Sequence, residues 1–348
     1  MSERFDIYVD RCLYHPDRGF YTSGTGIAGR WRGDFLTSPE VGPLFGEVLG
    51  RWLDEMWVHL GRPDPFEVYD AGTGPGTLAR QLASADGPSS EARRVSGFDR
   101  ASVHGSGSLP ADRSFPADLA GSVVIANELL DNIAFRAIEY RDQRWHELYV
   151  ATGDDGTLVE ELQPIDEPEA DPYLQVVIAS LSGRGLVADE LMDGMRVPVV
   201  EEANRWLSRV LGQGPAAVVA FDYGARTTAE LARRGGWLRT YRRHEVGTDP
   251  LVEPGQWDIT TDIAIDQLPP PAEVVDQAQF LCRWGIEELV DEGRRYWAEN
   301  AAQPDLAAFK MRSRVSEAEA LLDPDGLGSW SVCTWGAVVG TEERSVPR

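Results

Sequence analysis

The sequence predicts a doubly wound α/β domain, and three observations predict it. Short apolar runs alternate with segments of helical periodicity. Val123, Val124 and Ile125 form a continuous apolar run, the pattern of a parallel strand buried on both faces. Between a strand-like run ending at Ala71 and a helical one starting at Thr77 lies a turn with glycines at 72, 74 and 76. Composition agrees: 348 residues, 42% hydrophobic and 26% charged, are ordinary for a globular protein and allow roughly two domains of about 150 residues.

Taken in order, the first 60 residues open on an aromatic, turn-rich segment, Tyr14 to Tyr21, to which no regular structure is assigned. From Glu40, Val41, Leu44, Phe45, Val48, Leu49, Trp52, Leu53 and Met56 recur at helical spacing and predict one amphipathic helix ending near Gly61. Its start reads as a Thr37/Glu40 capping box, or as a Ser38 cap with Pro39 in the first turn. Phe66 to Ala71 reads as a strand, Thr77 to Ala85 as a helix, Val95 to Phe98 and Ser122 to Ala126 as strands. Phe135 to Tyr140 and Arg144 to Ala151, joined by a short polar turn, predict an antiparallel hairpin. Glu160 to Asp171, acidic and proline-bearing, reads as an exposed loop; Val199 to Leu211 as a helix; Ala216 to Phe221 as a buried strand. Pro269 to Pro271 breaks the chain before a helical stretch from Val274 to Trp297. The domain boundaries expected are an N-terminal segment and helix over 1–62, a ligand-binding core over 63–225 with an insertion at about 135–200, and an α+β region over 226–348 that completes the sheet.

Charge excludes several functions. Asp and Glu number 57 against 33 Lys and Arg, for a net −24, and a field of that sign repels nucleic acid and anionic lipid. Lys310 is the single lysine and follows no glycine-rich loop, which removes a phosphate-binding P-loop and a Schiff-base lysine. The five histidines show no metal-ligand spacing, so no metal is expected. Cys12, Cys282 and Cys333 are odd in number and far apart, which fits a reducing compartment. With no apolar run of roughly 18 residues and a charged start, the expectation is a cytoplasmic protein without a membrane span. A homodimer is left open.

The sharpest chemical signal is Asp70-Ala-Gly72-Thr-Gly74-Pro-Gly76-Thr77. Alternate glycines turn tightly and admit a ligand against the backbone, beside the free N–H groups of a helix start. A dinucleotide fingerprint would need glycine at position 77, which is threonine; the alternate-glycine form with Asp70 upstream suits S-adenosylmethionine better, because an acid there would repel a pyrophosphate. Asp99, closing the next strand, is placed to accept ribose hydroxyls, or is a solvated acid beside Arg100. Asn127, Glu128 and Asp131 leave the strand Val123 to Ala126 at its carboxyl end, where such sheets bind ligands. They could align a nucleophile and hold a cationic acceptor, or Asn127 could serve the turn and Asp131 cap the next helix.

Read together, YHPDRGFY at 14–21, GDFLTSPEVGPLFG at 33–46, the Asp70 to Gly76 loop, NELLD at 127–131, DYG at 222–224 and PGQWDIT at 254–260 resemble the MidA family of methyltransferases. Its mitochondrial members are complex I assembly-factor arginine methyltransferases. The resemblance implies a class I methyltransferase Rossmann-like core with an added α+β substrate-side domain over 226–348, Ser38, Pro39 and Glu40 beside the cofactor, the segment 1–62 as an N-terminal cover, and Asn127, Glu128 and Asp131 lining the transfer site. It further implies methylation of an arginine on a partner protein. Asp222, Tyr223, His244 and Asp258 are carried as substrate-side candidates. Asn132 to Phe135 departs from the family's Ala-Leu-Pro-Val at that place. The competing readings are a small-molecule O- or N-methyltransferase, with His244 or Asp131 as base, and a non-catalytic assembly protein that keeps the fold.

Overall fold

A computed structural model describes residues 2–23, 37–101, 116–183, 191–243 and 245–340. The chain begins with β1 (Ser2–Arg4), α1 (Phe5–Tyr14), α2 (Ser38–Val41) and α3 (Leu44–His59). Strands and helices then alternate through β2 (Phe66–Ala71), α4 (Thr77–Ser84), β3 (Arg93–Phe98) and β4 (Val123–Asn127). Next come β5 (Arg136–Arg141), β6 (Arg144–Thr152), β7 (Leu158–Pro164), α5 (Pro172–Gly183), β8 (Met195–Val199), α6 (Glu201–Gly212) and β9 (Ala217–Asp222). The remainder comprises β10 (Gly224–Ala225), α7 (Thr228–Arg234), β11 (Leu238–Arg242), β12 (Glu245–Gly247), β13 (Asp258–Thr261) and β14 (Ile263–Ala264). It closes with β15 (Glu273–Asp276), α8 (Gln277–Arg283), α9 (Ile286–Asn300), α10 (Leu306–Leu321) and β16 (Ser331–Gly336).

The central sheet has six strands in the order β15-β16-β9-β4-β2-β3. β3, β2, β4 and β9 run parallel, while β16 and β15 extend the sheet antiparallel. Both faces are covered, which is why its inner strands are apolar throughout. Val124 and Ala126 face α1 and α6 with Val218 and Ala220; Val123 and Ile125 face α3, α8 and α9 with Val219 and Phe221. A separate five-stranded sheet is formed by β1, β5, β6, β7 and β8, and packs its own small core on α5 around Ile138, Leu174, Val177 and Val197. Its β5–β6 hairpin turns through Asp142 and Gln143, both left-handed at φ 49° and 61°, the geometry that matches strand twist.

Three local expectations change. The helix expected from Glu40 is two helices, because Gly42 is extended and Pro43 can donate no hydrogen bond; the Leu44 N–H is taken by the buried Glu317 carboxylate at 2.9 Å instead. Thr37 makes no side-chain cap, so the capping box does not form, although Pro39 does sit in the first turn. The start of the acidic stretch 160–171 is not loop but part of β7, which pairs antiparallel with β6 and carries its charges on an outer, exposed strand. Val274 to Asp276 is strand as well: β15 hydrogen-bonds to β16, and helix begins only at Gln277, with a break at left-handed Gly285. Among the described residues no helix is long and apolar enough to cross a membrane.

Phe221 joins the two halves of this arrangement. It is fully buried and packs edge-to-face on Phe45 of α3 and Phe280 of α8, with ring centroids at 5.4 and 5.3 Å. Phe221→Ala is expected to cost about 3–5 kcal/mol in urea unfolding, whereas a loss under about 1 kcal/mol would mean the helices on that face are not held by this contact.

Candidate active site

Strand register sets the site. Ala71 lies opposite Phe98 and Ala126, and Asn127 opposite Phe221, so β2, β3, β4 and β9 end along one edge of the sheet. Open α/β sheets offer their ligand crevice at that edge.

The turn after β2 is built as its glycines require. Gly72, Gly74 and Gly76 all have positive φ, at 73°, 50° and 75°. Gly72 and Thr73 donate their N–H groups to the Phe98 carbonyl at 2.8 and 3.1 Å, which binds the loop to β3. Asp70 is 2% exposed, and its Oδ2 accepts the Thr73 hydroxyl at 2.7 Å. Burial pushes its carboxyl up to about 7, against the stabilising Thr73 and Ala79 donors. Asp99 crosses from β3 to meet the loop: Oδ2 accepts the Gly74 N–H and Oδ1 that of Ala101, both at 2.8 Å. Burial raises its proton affinity too.

The second wall comes from the end of β4. Glu128 has φ 52° yet keeps its N–H on the Phe221 carbonyl at 2.8 Å, and Leu130 donates to Asp222 Oδ2 at 2.8 Å. Glu128 Oε1 accepts the Asn127 side-chain amide at 2.9 Å and the Ser38 N–H at 3.3 Å. Removal from water and then the Asp131 charge push its carboxyl well above the ordinary range, opposed by those two donors. Asp131 is 2% exposed; burial raises it to about 7, while the Arg239 charge and a hydrogen bond from Asp222 hold it down. Asp222 is raised well above its usual value by burial and by Asp131, so it keeps the proton of the pair.

These walls bound a cleft of ≈ 860 Å³, lined by Pro39, Glu40, Asp70, Gly72, Gly74, Thr77, Asp99, Asn127 and Glu128 among others. Gly76 lies behind it as the left-handed residue opening α4, and Ser38 reaches it through its N–H to Glu128. Asp131, Asp222 and Asp258 are buried beneath its floor, with Asp258 bearing on Glu128 and Tyr21. Tyr223 is not in the cleft: it lines a second hollow of ≈ 570 Å³ with Arg239 and Trp330. His244 lies outside the described residues, as does 33–36 of the motif that precedes Thr37.

Several lining residues were not singled out from the sequence. Asp6, Asp10 and Tyr14 of α1 border the cleft, together with Tyr21. Tyr14 and Tyr21 stack at 5.6 Å and donate their hydroxyls to the Asn132 carbonyl and to its side-chain oxygen, at 3.1 and 2.9 Å. The aromatic spacing of 14–21 was the available signal. Gln277 carried none: fully buried on α8, it accepts the Ser38 hydroxyl at 3.0 Å and donates to the Leu321 carbonyl at 3.2 Å.

A family described as S-adenosyl-L-methionine-dependent methyltransferases matches residues 109–281, a stretch that contains Asn127 to Asp131 and the Asp222 strand end. The chain is 27% identical over 292 residues to the protein arginine methyltransferase NDUFAF7 homolog of Drosophila melanogaster mitochondria, covering 74% of this chain and 63% of that protein. The mouse mitochondrial protein arginine methyltransferase NDUFAF7 is 23% identical over 331 residues, covering 80% of this chain and 70% of its own. In fold, the chain is similar to a Burkholderia thailandensis protein crystallised with S-adenosyl-homocysteine, at a TM-score of 0.77 and 23% identity, covering 97% of this chain and 88% of that one.

S-adenosyl-L-methionine, the cofactor named for the matching family, fits the residues present. Gly74 is left-handed with no atom within 4 Å of where its Cβ would be, so the backbone stands open to a ligand. Asn127 Oδ1 is buried in the wall without a hydrogen-bond partner, an acceptor in want of a donor. Among the described residues no His, Cys, Asp and Glu group is placed to hold a metal ion.

The proton that Asp222 keeps beneath the cleft has a measurable signature. Asp222, raised above 3.8, keeps in the fold a proton that the unfolded chain has lost, so its contribution to stability falls as pH rises. In Asp222→Asn the amide can still donate to Asp131 and accept from Leu130, gives up only the Tyr223 N–H that Oδ1 accepts at 3.1 Å, and does not titrate. Urea unfolding between about pH 5 and about pH 7 is expected to show a flatter pH dependence in the variant, by up to about 1.4 kcal/mol per pH unit. Equal slopes would refute the shared proton.

Proposed function

We propose that the chain transfers a methyl group from S-adenosyl-L-methionine to a guanidinium nitrogen of a protein arginine. The observation that carries the reading is Glu128, a carboxylate in the cleft wall with raised proton affinity, held by the Ser38 N–H and the Asn127 amide. The names of the fly and mouse relatives support the same acceptor.

When bound, S-adenosyl-L-methionine supplies a methyl group already activated on a sulfonium. The chain's own share is alignment, exclusion of water and disposal of one proton. Asp99 would accept the ribose hydroxyls with the lone pairs left after Gly74 and Ala101, and Gly72 and Gly74 would bring the loop backbone against the ligand. Asp70 would set that loop through Thr73, with its charge toward the amino-acid end. Pro39, Glu40 and Thr77 would close the rim. As the N–CH3 bond forms and the S–CH3 bond breaks, the guanidinium nitrogen gives up a proton, which Glu128 would accept. Asn127 fixes the carboxylate that receives it, and the Asp131–Asp222 pair beneath adds negative charge toward a cationic acceptor. The three cysteines are free, which suits action in a reducing compartment such as the cytoplasm.

Calorimetric titration with S-adenosylhomocysteine is expected to give saturable binding that weakens about tenfold or more in Asp99→Ala; undiminished affinity would remove Asp99 from the cofactor site. Glu128→Gln should keep that affinity but lose methyl transfer to an arginine peptide by about a hundredfold or more, measured with labelled cofactor. Wild-type kcat should fall at low pH with a midpoint above the ordinary glutamate value, since protonated Glu128 cannot take the proton. A variant as active as the parent would end this assignment.

A further inference from the structure

We propose that the Asp10–Arg100 ion pair is a side-chain gate on the cofactor cleft, which sets how fast S-adenosyl-L-methionine and its product pass; the inference rests on the cofactor assignment above and not on the acceptor. Arg100 follows Asp99 at the end of β3, and Asp10 lies on α1, so the two reach the cleft from different walls, and both line it. The guanidinium grips the carboxylate as a fork: Nη1 donates to Oδ1, and Nη2 donates to Oδ2 at 3.0 Å. It also lies over the Tyr14 ring at 4.4 Å, and Tyr14 stacks on Tyr21. One arginine thus bridges from the residue beside Asp99 to the helix that borders the cleft.

The backbone on either side of this bridge is fixed, so opening falls to the two side chains. Asp99 accepts the Gly74 N–H at one oxygen and the Ala101 N–H at the other, which pins the main chain around Arg100. α1 is held as firmly: Phe5, Tyr8, Val9, Cys12 and Leu13 are at most 2% exposed, and the Tyr8 hydroxyl donates to the Pro250 carbonyl at 2.7 Å. The paired side chains themselves face water, with 60% of Arg100 and 42% of Asp10 exposed. Exposed pairs are weak and screened by salt, so a change of rotamer opens the bridge without moving the fold. The Tyr14 ring returns the guanidinium to the same place, because a planar group laid on a ring loses little further freedom on pairing. A pair that closes over the empty and the occupied cleft alike raises the barrier to passage without changing the equilibrium. Cutting it therefore quickens entry and exit together.

The test follows S-adenosylhomocysteine, which carries no net charge at neutral pH and so is not itself steered by the field of the protein. Association and dissociation rates are read by surface plasmon resonance on the full chain, and Kd by calorimetry. In Asp10→Asn and in Arg100→Gln both rates are expected to rise about threefold or more, with Kd constant to within about twofold. The double variant adds nothing beyond either single one, and exchanging the charges, Asp10→Arg with Arg100→Asp, restores the slow rates. Raising salt from about 0.05 M to about 0.5 M quickens both rates in the parent and leaves Asp10→Asn unmoved. Single variants with the parent's rates would overturn the gate and leave the cofactor assignment standing. A Kd raised through dissociation alone would also overturn it, and would make Arg100 a direct cofactor contact. A folded parent that binds no S-adenosylhomocysteine would overturn the gate and the cofactor assignment together.

Discussion

The hydrogen bond from the Glu128 N–H to the Phe221 carbonyl carries the β4–β9 ladder one step past Asn127, and most of the site depends on it. To make that bond the backbone turns left-handed at Glu128, at φ 52°, a conformation that costs a non-glycine residue about 1 kcal/mol or more. The fold sustains it because the Leu130 N–H, two residues on, is taken by the Asp222 carboxylate. Leu129 is thereby pressed under the glycine loop, 3.0 Å from where a Cβ on Gly72 would lie. The loop after β2 and the turn after β4 therefore share one packing contact, and neither can shift alone.

Around that turn the structure concentrates acids where water is scarce. Asp70, Asp131, Asp222 and Asp258 are all buried, and Glu128 stands in the wall above them. Such charges persist only when donors or cations meet them. Here the donors come from remote segments: Ser38 near the start of the chain, steadied by Gln277 near its end, and Arg239 from β11. The same arrangement that makes these carboxyls proton-avid also makes their neighbourhood attractive to a cation. Stability and acceptor choice are thus two consequences of one electrostatic decision.

Much of this was legible in the sequence for a definite reason. The glycine loop, the run Val123 to Ile125 and the hairpin turn at Asp142 and Gln143 each depend on the chemistry of adjacent residues, so a local pattern suffices to read them. The errors have the opposite character. Thr37 and Glu40 spell a capping box, but the Glu40 N–H goes to the Thr37 carbonyl and not to its hydroxyl, and Pro43 splits the expected helix while Glu317, far along the chain, caps α3. Val274 to Asp276 has helical neighbours, yet β16 offered a ladder and the segment paired with it. At β15 a partner distant in sequence overrode a local preference, whereas the break at Gly42 and Pro43 is a local signal that the apolar periodicity masked.

The sequence by itself determined the parallel strand pattern, the left-handed glycine turn and the residue types at the strand ends, because backbone sterics and apolar periodicity act over a few residues. Only the tertiary structure decided which acids share protons, that α1 and Tyr21 wall the cleft, that Tyr223 faces a different hollow from Glu128, and that Gln277 braces Ser38 across a separation of 239 residues. Those outcomes depend on distances between remote segments and on how much water burial removes, and neither quantity exists until the chain has folded.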